Sequence, residues 1–469
     1  MVVSLDPCLV VGMDLSSLNQ YWLQFVSLLL DGLQSAWQFC IEKFYLIPRP
    51  DFLSHISSFI FYYPLVMSYV WMIGAVIFYV SFERKQVDTC EPVAALKDPP
   101  PVSILVPCYN EANNIQDTLE FLLSQQYPDF EIIAINDGSV DSTLDILRSM
   151  AEKHPQIRVI NLSSNQGKAM ALRTGAMLTN NEFLVCIDGD ALLDTQAVAW
   201  MMRHFQDNPR VAAVTGNPRI RTRSTLLGKI QVGEFSAIVG LIKRAQQVYG
   251  RIFTVSGVIA GFRKSALHNV GYWSNDIVTE DIDISWKLQL QGWHIHFEPN
   301  ALCWVLMPET IKGLWKQRLR WSQGGAEVLI RHSNAVLQWK SRRMWPIWLE
   351  CVASILWSCL ILVGMGIWVT SQLLNIHQQF MPVLLPHWTG MLLSITCLAQ
   401  FAVSLAIDSR YERKFGGIGR YYYWMIWYPL IYWINNVLTT VFGLVKAIAK
   451  KRGQRAVWVT SDRGLLKRD

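Results

Sequence analysis

The sequence predicts an α/β domain with a mostly parallel sheet, set between transmembrane α-helices. Three observations carry this expectation. Apolar residues gather near 57–82 and again over 346–445, whereas 100–340 has the mixed composition of a globular domain. Within that middle region, short apolar runs alternate with helix-like stretches, as strands buried on both faces of a parallel sheet require. A mean hydropathy of +0.21, with 51% hydrophobic and 17% charged residues, is too apolar for an average soluble chain.

The N-terminal membrane region and its linker occupy 1–99. The stretch over about 21–46 is apolar but carries Gln24, Ser27, Asp31, Gln34, Ser35, Gln38 and Glu42 at three- and four-residue steps, so these fall on one helical face. Asp31 turned to lipid is costly, which favours a span whose polar stripe packs on another helix over an interfacial helix. The run 57–82 is free of charge until Glu83, Arg84 and Lys85, and it exceeds the roughly 20 residues that a crossing needs. The positive residues at its end place the adjoining domain in the cytoplasm. Pro92, Pro99, Pro100 and Pro101 then mark a linker.

The α/β domain spans 100–305. Its predicted strands are 102–107, 131–135, 158–161 and 183–187, separated by helices to about 125, at 141–153 and at 167–179. An amphipathic interface segment occupies 306–345. The region 346–445 contains apolar runs at 346–373, 389–407 and 422–445, and a basic tail occupies 446–469. Lys340, Arg342 and Arg343 read as cytoplasmic, as do Arg410, Arg413, Lys414 and Arg420, whereas 374–388 has neither lysine nor arginine and reads as external. If 422–445 crosses once, the tail with Lys450, Lys451, Arg452 and Arg455 ends outside, against the charge rule. A re-entrant hairpin broken at Pro429 would return it to the inside. Both arrangements stay open.

The formal net charge of +6 comes from basic residues at the ends of apolar segments, which fits anionic lipid headgroups and no nucleic-acid face. Nine cysteines without a CxxC pair argue against a disulfide framework or a zinc site. The first residues lack the pattern of a cleaved signal peptide.

In parallel α/β sheets, ligands bind beyond the carboxyl ends of the strands. Pro107-Cys-Tyr-Asn-Glu111 and Asn136-Asp-Gly-Ser139 sit there. Tyr109 is suited to stack on a nucleobase, and Glu111 and Asp137 to accept hydrogen bonds from base or ribose, although Asn, Asp, Gly and Ser also make ordinary turns. Asp188-Gly-Asp190 ends the fourth strand. Its two carboxylates suit a hard divalent cation, Mg2+ or Mn2+, that bridges phosphate oxygens, and two aspartates in one loop can also simply cap the next helix. Thr279-Glu-Asp281 opens a helix after the small-residue stretch Val255-Ser-Gly-Val258, and Asp281 is placed either to cap or to take a proton from an acceptor hydroxyl. Gln317-Arg-Leu-Arg-Trp321 lies in an aromatic and basic stretch. It reads as a membrane-surface helix, a site where Trp321 stacks on sugar and arginine holds diphosphate, or both. Lys168, in Asn165-Gln-Gly-Lys168, opens another helix, where it is either simply solvated or placed to approach donor phosphates.

In this order, the strand-end aspartate loops, Asp188-Gly-Asp190, Thr279-Glu-Asp281 and Gln317-Arg-Leu-Arg-Trp321 resemble the processive family 2 glycosyltransferases, the membrane synthases of cellulose, chitin and hyaluronan. The resemblance covers roughly residue 57 to the end. It implies a GT-A fold, UDP-N-acetylglucosamine as donor, a growing polysaccharide as acceptor and a divalent metal. It also implies roles: Pro107, Tyr109, Glu111, Asp137, Lys168, Asp188, Gln317 and Arg320 at the donor, with Asp137 on uridine. Asp188 and Asp190 would hold the metal, Asp281 with Glu280 would carry the chemistry, and Ser256, Gly257 and Trp321 would meet the acceptor. Asn136-Asp137 departs from the two aspartates of many members. The family further implies a bacterial inner-membrane location with a cytoplasmic catalytic domain, and a channel through the protein's own helices. A small membrane partner, through which cyclic-di-GMP would act, completes the implied assembly. The competing readings are another family 2 polymerase of cellulose, chitin or hyaluronan type, a single-transfer enzyme acting on polyprenyl phosphate, and a non-catalytic scaffold or polysaccharide conduit that only binds nucleotide.

Overall fold

In the computed structural model of the chain, residues 51–84, 92–93, 96–373, 388–415, 417–451 and 453–455 are described, together with Gln24. The expected helix over about 21–46 lies outside them apart from Gln24, as does most of the tail. The chain divides into two compact units, residues 1–61 with 364–392 and residues 62–363 with 393–469. In the first, the described residues are the helical stretches 51–61, 364–373 and 388–392. The second holds the sheet.

Helix α1 (Asp51–Phe78) runs on through a wider turn, Tyr79–Glu83. The predicted alternation then appears as β1 (Val102–Cys108), α2 (Ile115–Leu123), β2 (Phe130–Asp137), α3 (Thr143–Lys153), β3 (Ile157–Leu162), α4 (Lys168–Leu178) and β4 (Phe183–Ile187). All seven residues of β1 are buried. That is why the strand reads as a continuous apolar run rather than an alternating one.

The second half of the domain is less regular: β5 (Leu192–Leu193), α5 (Ala197–Asp207), β6 (Val211–Ile220), α6 (Leu226–Phe235), α7 (Ile242–Tyr249), β7 (Ile259–Arg263), α8 (Lys264–Asn269), α9 (Glu280–Leu290) and β8 (His294–Val305). The sheet order is β3-β2-β1-β4-β7-β6-β8-β5. The first four strands are parallel neighbours, β7 is antiparallel to β4 and β6, and β6 and β8 are parallel. The strand order reverses direction at β1 and β4, so their carboxyl ends open the crevice in which ligands of such sheets sit.

Four long helices complete the described chain: α10 (Ile311–Val336), α11 (Trp345–Leu373), α12 (Trp388–Asp408) and α13 (Tyr428–Ala449). Thr310 caps α10 by accepting from the Gly313 amide at 3.0 Å. Among the described residues, three helical segments are long and apolar enough to cross a membrane: His55–Glu83, Trp339–Thr370 and Thr389–Arg413. The fourth apolar run is bent by 68° between Gly419–Trp427 and Tyr432–Ala449. Its near end packs Met425 against Gly233 of α6, and its far end carries Lys450, which donates to the Asp276 carbonyl at 2.6 Å and pairs with Glu327 at 2.9 Å. Both ends of this segment therefore touch the sheet domain.

Candidate active site

The loops after β1 and β2 are knit together before they meet any ligand. The Asn110 amide donates to Ser139 Oγ at 3.0 Å and the Glu111 amide to Thr143 Oγ1 at 2.8 Å. Gly138 has φ +66°, and a Cβ there would lie 2.5 Å from the Ser164 carbonyl carbon, so the turn accepts only glycine without strain. Asp137 is fully buried; its carboxylate accepts from the amides of Gln166 and Gly167 at 2.7 and 2.8 Å. Burial raises its pKa against those two hydrogen bonds. Asp137 thus fixes the loop that opens α4, which sets where Lys168 points.

Lys168 is the centre of the catalytic cluster. Its Nζ lies 2.6 Å from Asp188 and 3.3 Å from Glu280, and donates to the Gly257 carbonyl at 2.9 Å. Burial pulls the ammonium down, but Asp188 and Glu280 outweigh it and hold it above the ordinary lysine value. One lysine thus ties together the ends of β4 and α9 and the 255–258 loop. Glu280, Asp281 and Asp283 crowd the first turn of α9, where the helix dipole favours negative charge. Asp283 is the structural member: Ser274 and His332 bind it at 2.6 and 2.9 Å, fastening α9 to α10. Asp281 turns the other way, into the cavity. Burial and the neighbouring Glu280 push its carboxyl up to about 6, against the pull of Lys168. Gly257 makes room for it, since a Cβ at that position would lie 2.9 Å from Asp281 Oδ2.

These groups line one cavity of about 670 Å³. Glu111, Lys168, Asp188, Asp190, Ser256, Gly257, Glu280, Asp281, Gln317, Arg320 and Trp321 all face it; Pro107, Tyr109 and Asp137 do not. The Pro107 carbonyl instead lies behind Gly189, within 3.3 Å of where a Cβ would be. The cavity continues past the cluster to Tyr63 and Trp71 of α1 and Glu350, Ser354 and Ile355 of α11. Trp321 is held by Arg318, whose guanidinium sits 4.3 Å from the ring centroid while pairing with Glu234 of α6 at 2.6 Å.

Among the described residues, no group of three or more His, Cys, Asp or Glu side chains forms a complete metal site. Asp188 and Asp190 offer two hard oxygen donors beside other carboxylates, a donor set that fits a divalent cation and would hold one. Sequence reasoning missed Thr215 on β6, Lys243 and Gln246 on α7 and Glu350, all of which border or support this cavity; Arg318 was read within its motif as a diphosphate ligand, whereas it pairs with Glu234. None of them lies at a strand end. A clue was available at Lys243, which with Arg244 directly follows the apolar run 237–242. The tail also reaches the donor side, where Arg455 donates to Gln166 Oε1 at 3.0 Å.

An α/β sheet that presents a two-aspartate loop and a helix-borne carboxylate in one cleft defines a nucleotide-sugar transferase. The chain belongs to the family described as glycosyltransferase like family 2, whose model matches residues 99–324. It is 40% identical over 415 residues to the Staphylococcus epidermidis poly-β-1,6-N-acetyl-D-glucosamine synthase, an alignment covering 88% of this chain and all of that protein. The synthase of that name from Staphylococcus aureus strain MSSA476 is 39% identical over 413 residues, covering 88% and 99%. Among solved structures, a mannosyltransferase from Pyrobaculum calidifontis in complex with GDP-Man and Mn2+ superposes with TM-score 0.52 at 19% identity, over 83% of this chain and 99% of that one. That likeness shows the fold.

Proposed function

We propose that the protein polymerises N-acetylglucosamine from UDP-N-acetylglucosamine into a β-1,6-linked chain by an inverting single displacement. The observation that carries the reading is the continuity of one cavity from Asp188 and Asp281 to side chains of α1 and α11. Synthases of this name that align with nearly the whole chain support the donor and linkage.

In this mechanism Asp281 accepts the proton of the acceptor 6-hydroxyl as its oxygen attacks the anomeric carbon. UDP leaves from the opposite face, so an α-linked donor gives a β-linkage. Asp188 and Asp190 would hold a divalent cation, which when bound neutralises charge on the diphosphate. Arg320 completes the positive lining at the leaving group, and Trp321 supplies a flat apolar face for the acceptor sugar. Lys168 keeps Asp188 and Glu280 at fixed distances. Asp137 acts on the donor by shaping the 166–168 loop. The basic segments at the ends of the three apolar helices support a cytoplasmic catalytic domain.

Membranes containing the full chain should incorporate label from UDP-N-acetylglucosamine into a polymer cleaved by a β-1,6-specific hydrolase. Chelation should stop incorporation and Mg2+ or Mn2+ should restore it. Products of one added sugar, whatever the incubation time, would overturn polymerisation and favour a single-transfer enzyme.

A further inference from the structure

Helix α7 has two functions on two faces. Arg244 is fully buried on one side, bound to Glu83 and Asp408 at the inner ends of α1 and α12. Lys243 and Gln246, three residues apart and therefore on one helical face, line the catalytic cavity instead.

Lys243 is 6% exposed and donates to Thr215 Oγ1 at 2.8 Å; that hydroxyl in turn accepts from the Ser256 amide at 2.8 Å. Among the described residues no carboxylate lies within 4.0 Å of its nitrogen. An ammonium has three donors, and leaving a buried one short of acceptors costs several kcal/mol. Burial pulls Lys243 down to about 7 although Asp281 favours its charged form. A purely structural position would be filled more cheaply by Leu or Met. About 4.5 Å further along the helix, Gln246, whose oxygen accepts from the Phe253 amide at 3.0 Å, lines the cavity together with Trp71 and Glu350. Tyr63 donates to the Glu350 carbonyl at 3.2 Å. A donor thus stands beside the base, and a carboxylate stands one step towards the membrane helices.

We propose that this face of α7 is the track on which the acceptor oligosaccharide lies: Lys243 donates to oxygens of the terminal sugar beside Asp281, and Glu350 accepts from hydroxyl or acetamide N–H groups of the sugar behind it, to which the Gln246 amide donates. The proposal rests on the polymerase reading and adds the acceptor's path to it. Because Lys168, Asp188 and Arg320 occupy the donor side, the track leaves donor binding to them.

The test uses the full chain in detergent with divalent cation present, and the variants Lys243→Met, Lys243→Gln and Glu350→Gln. Donor affinity is measured by calorimetric titration with UDP-N-acetylglucosamine, and transfer is followed on mono-, di- and trisaccharide N-acetylglucosamine acceptors. Both Lys243 variants should raise acceptor KM by about tenfold or more, the loss of one charged hydrogen bond, while donor Kd moves less than about twofold. Glu350→Gln should lower the preference for trisaccharide over monosaccharide acceptor by about fivefold and shorten the polymer. The Gln variant of Lys243 is read if the Met variant does not fold. Unchanged acceptor KM, or a loss confined to donor affinity, overturns the track while wild-type incorporation still stands. Wild-type protein that incorporates no N-acetylglucosamine overturns the polymerase reading and the track together.

Discussion

Two carboxylate clusters lie on opposite faces of α7, and they are built on opposite plans. At the junction with the membrane helices, Glu83, Asp408 and Glu412 meet Arg219, Arg223 and Arg244 at 2.5 to 2.9 Å, three charges of each sign. In the cavity beyond the strand ends, Asp188, Glu280 and Asp281 gather round Lys168, and Asp190 lines the same space. The first cluster closes on itself and needs nothing from solution. The second is left negative, and in the proposed mechanism that surplus would attract a divalent cation and leave one carboxylate to act as the base. Burial alone does not separate a structural charge cluster from a catalytic one; the local charge balance does.

Asp281→Asn is the sharpest way to divide them. Losing the base should reduce polymer synthesis by roughly 10²–10⁴-fold, with thermal stability unchanged or raised, because the variant removes one of several crowded negative charges. Normal incorporation by this variant would remove Asp281 as the base. The same size of perturbation at the closed cluster should behave in the reverse sense. Arg244→Met strands Glu83 and Asp408 in a buried site, at a cost of about 3–5 kcal/mol, seen as a lower Tm and reduced folded protein. Turnover per surviving molecule should fall far less than in the Asp281 variant.

A smaller effect is expected from pH. Because burial beside Glu280 lifts the Asp281 carboxyl to about 6, the base is ionised above that value and protonated below it. Activity should therefore fall about tenfold per pH unit on the acid side, with a midpoint at or below about 6, since a bound cation nearby favours the ionised form. A rate that stays level through the ordinary carboxylate range would count against this assignment. The smallest effect is expected where an ion pair is neither closed nor buried. Arg331 meets Asp276 at 2.5 Å, but the arginine side chain is 36% exposed; Arg331→Ala should cost less than about 1 kcal/mol. A denaturation midpoint shifted as far as that of Arg244→Met would show that charge closure does not explain the difference.

Much of the site was legible because its chemistry sits at strand ends. The runs 102–107, 131–135, 158–161 and 183–187 fall within observed strands, and the residues after them came out together, as did Asp188, Asp190, Glu280 and Asp281. Asp137 shows the limit of that reasoning. Its position after β2 suggested a uridine contact, but its oxygens hold the 166–167 amides, and a side chain's hydrogen-bond partner is not encoded in its own local pattern. The helices α6 and α7 carried no strand-end or motif signal, so Lys243 and Gln246 went unread.

The sequence by itself determined the alternation of strand and helix, the loops that bear carboxylates and the segments apolar enough to cross a membrane. Each is set by residue periodicity over short windows, which hydrophobic burial enforces locally. Only the tertiary structure decided which charges close on one another and which stay open, and that the last apolar run is bent by 68° with both ends against the sheet domain. Arg219 and Asp408 are 189 residues apart in sequence and 2.6 Å apart in space. Coulombic attraction depends on that second distance, and only folding sets it.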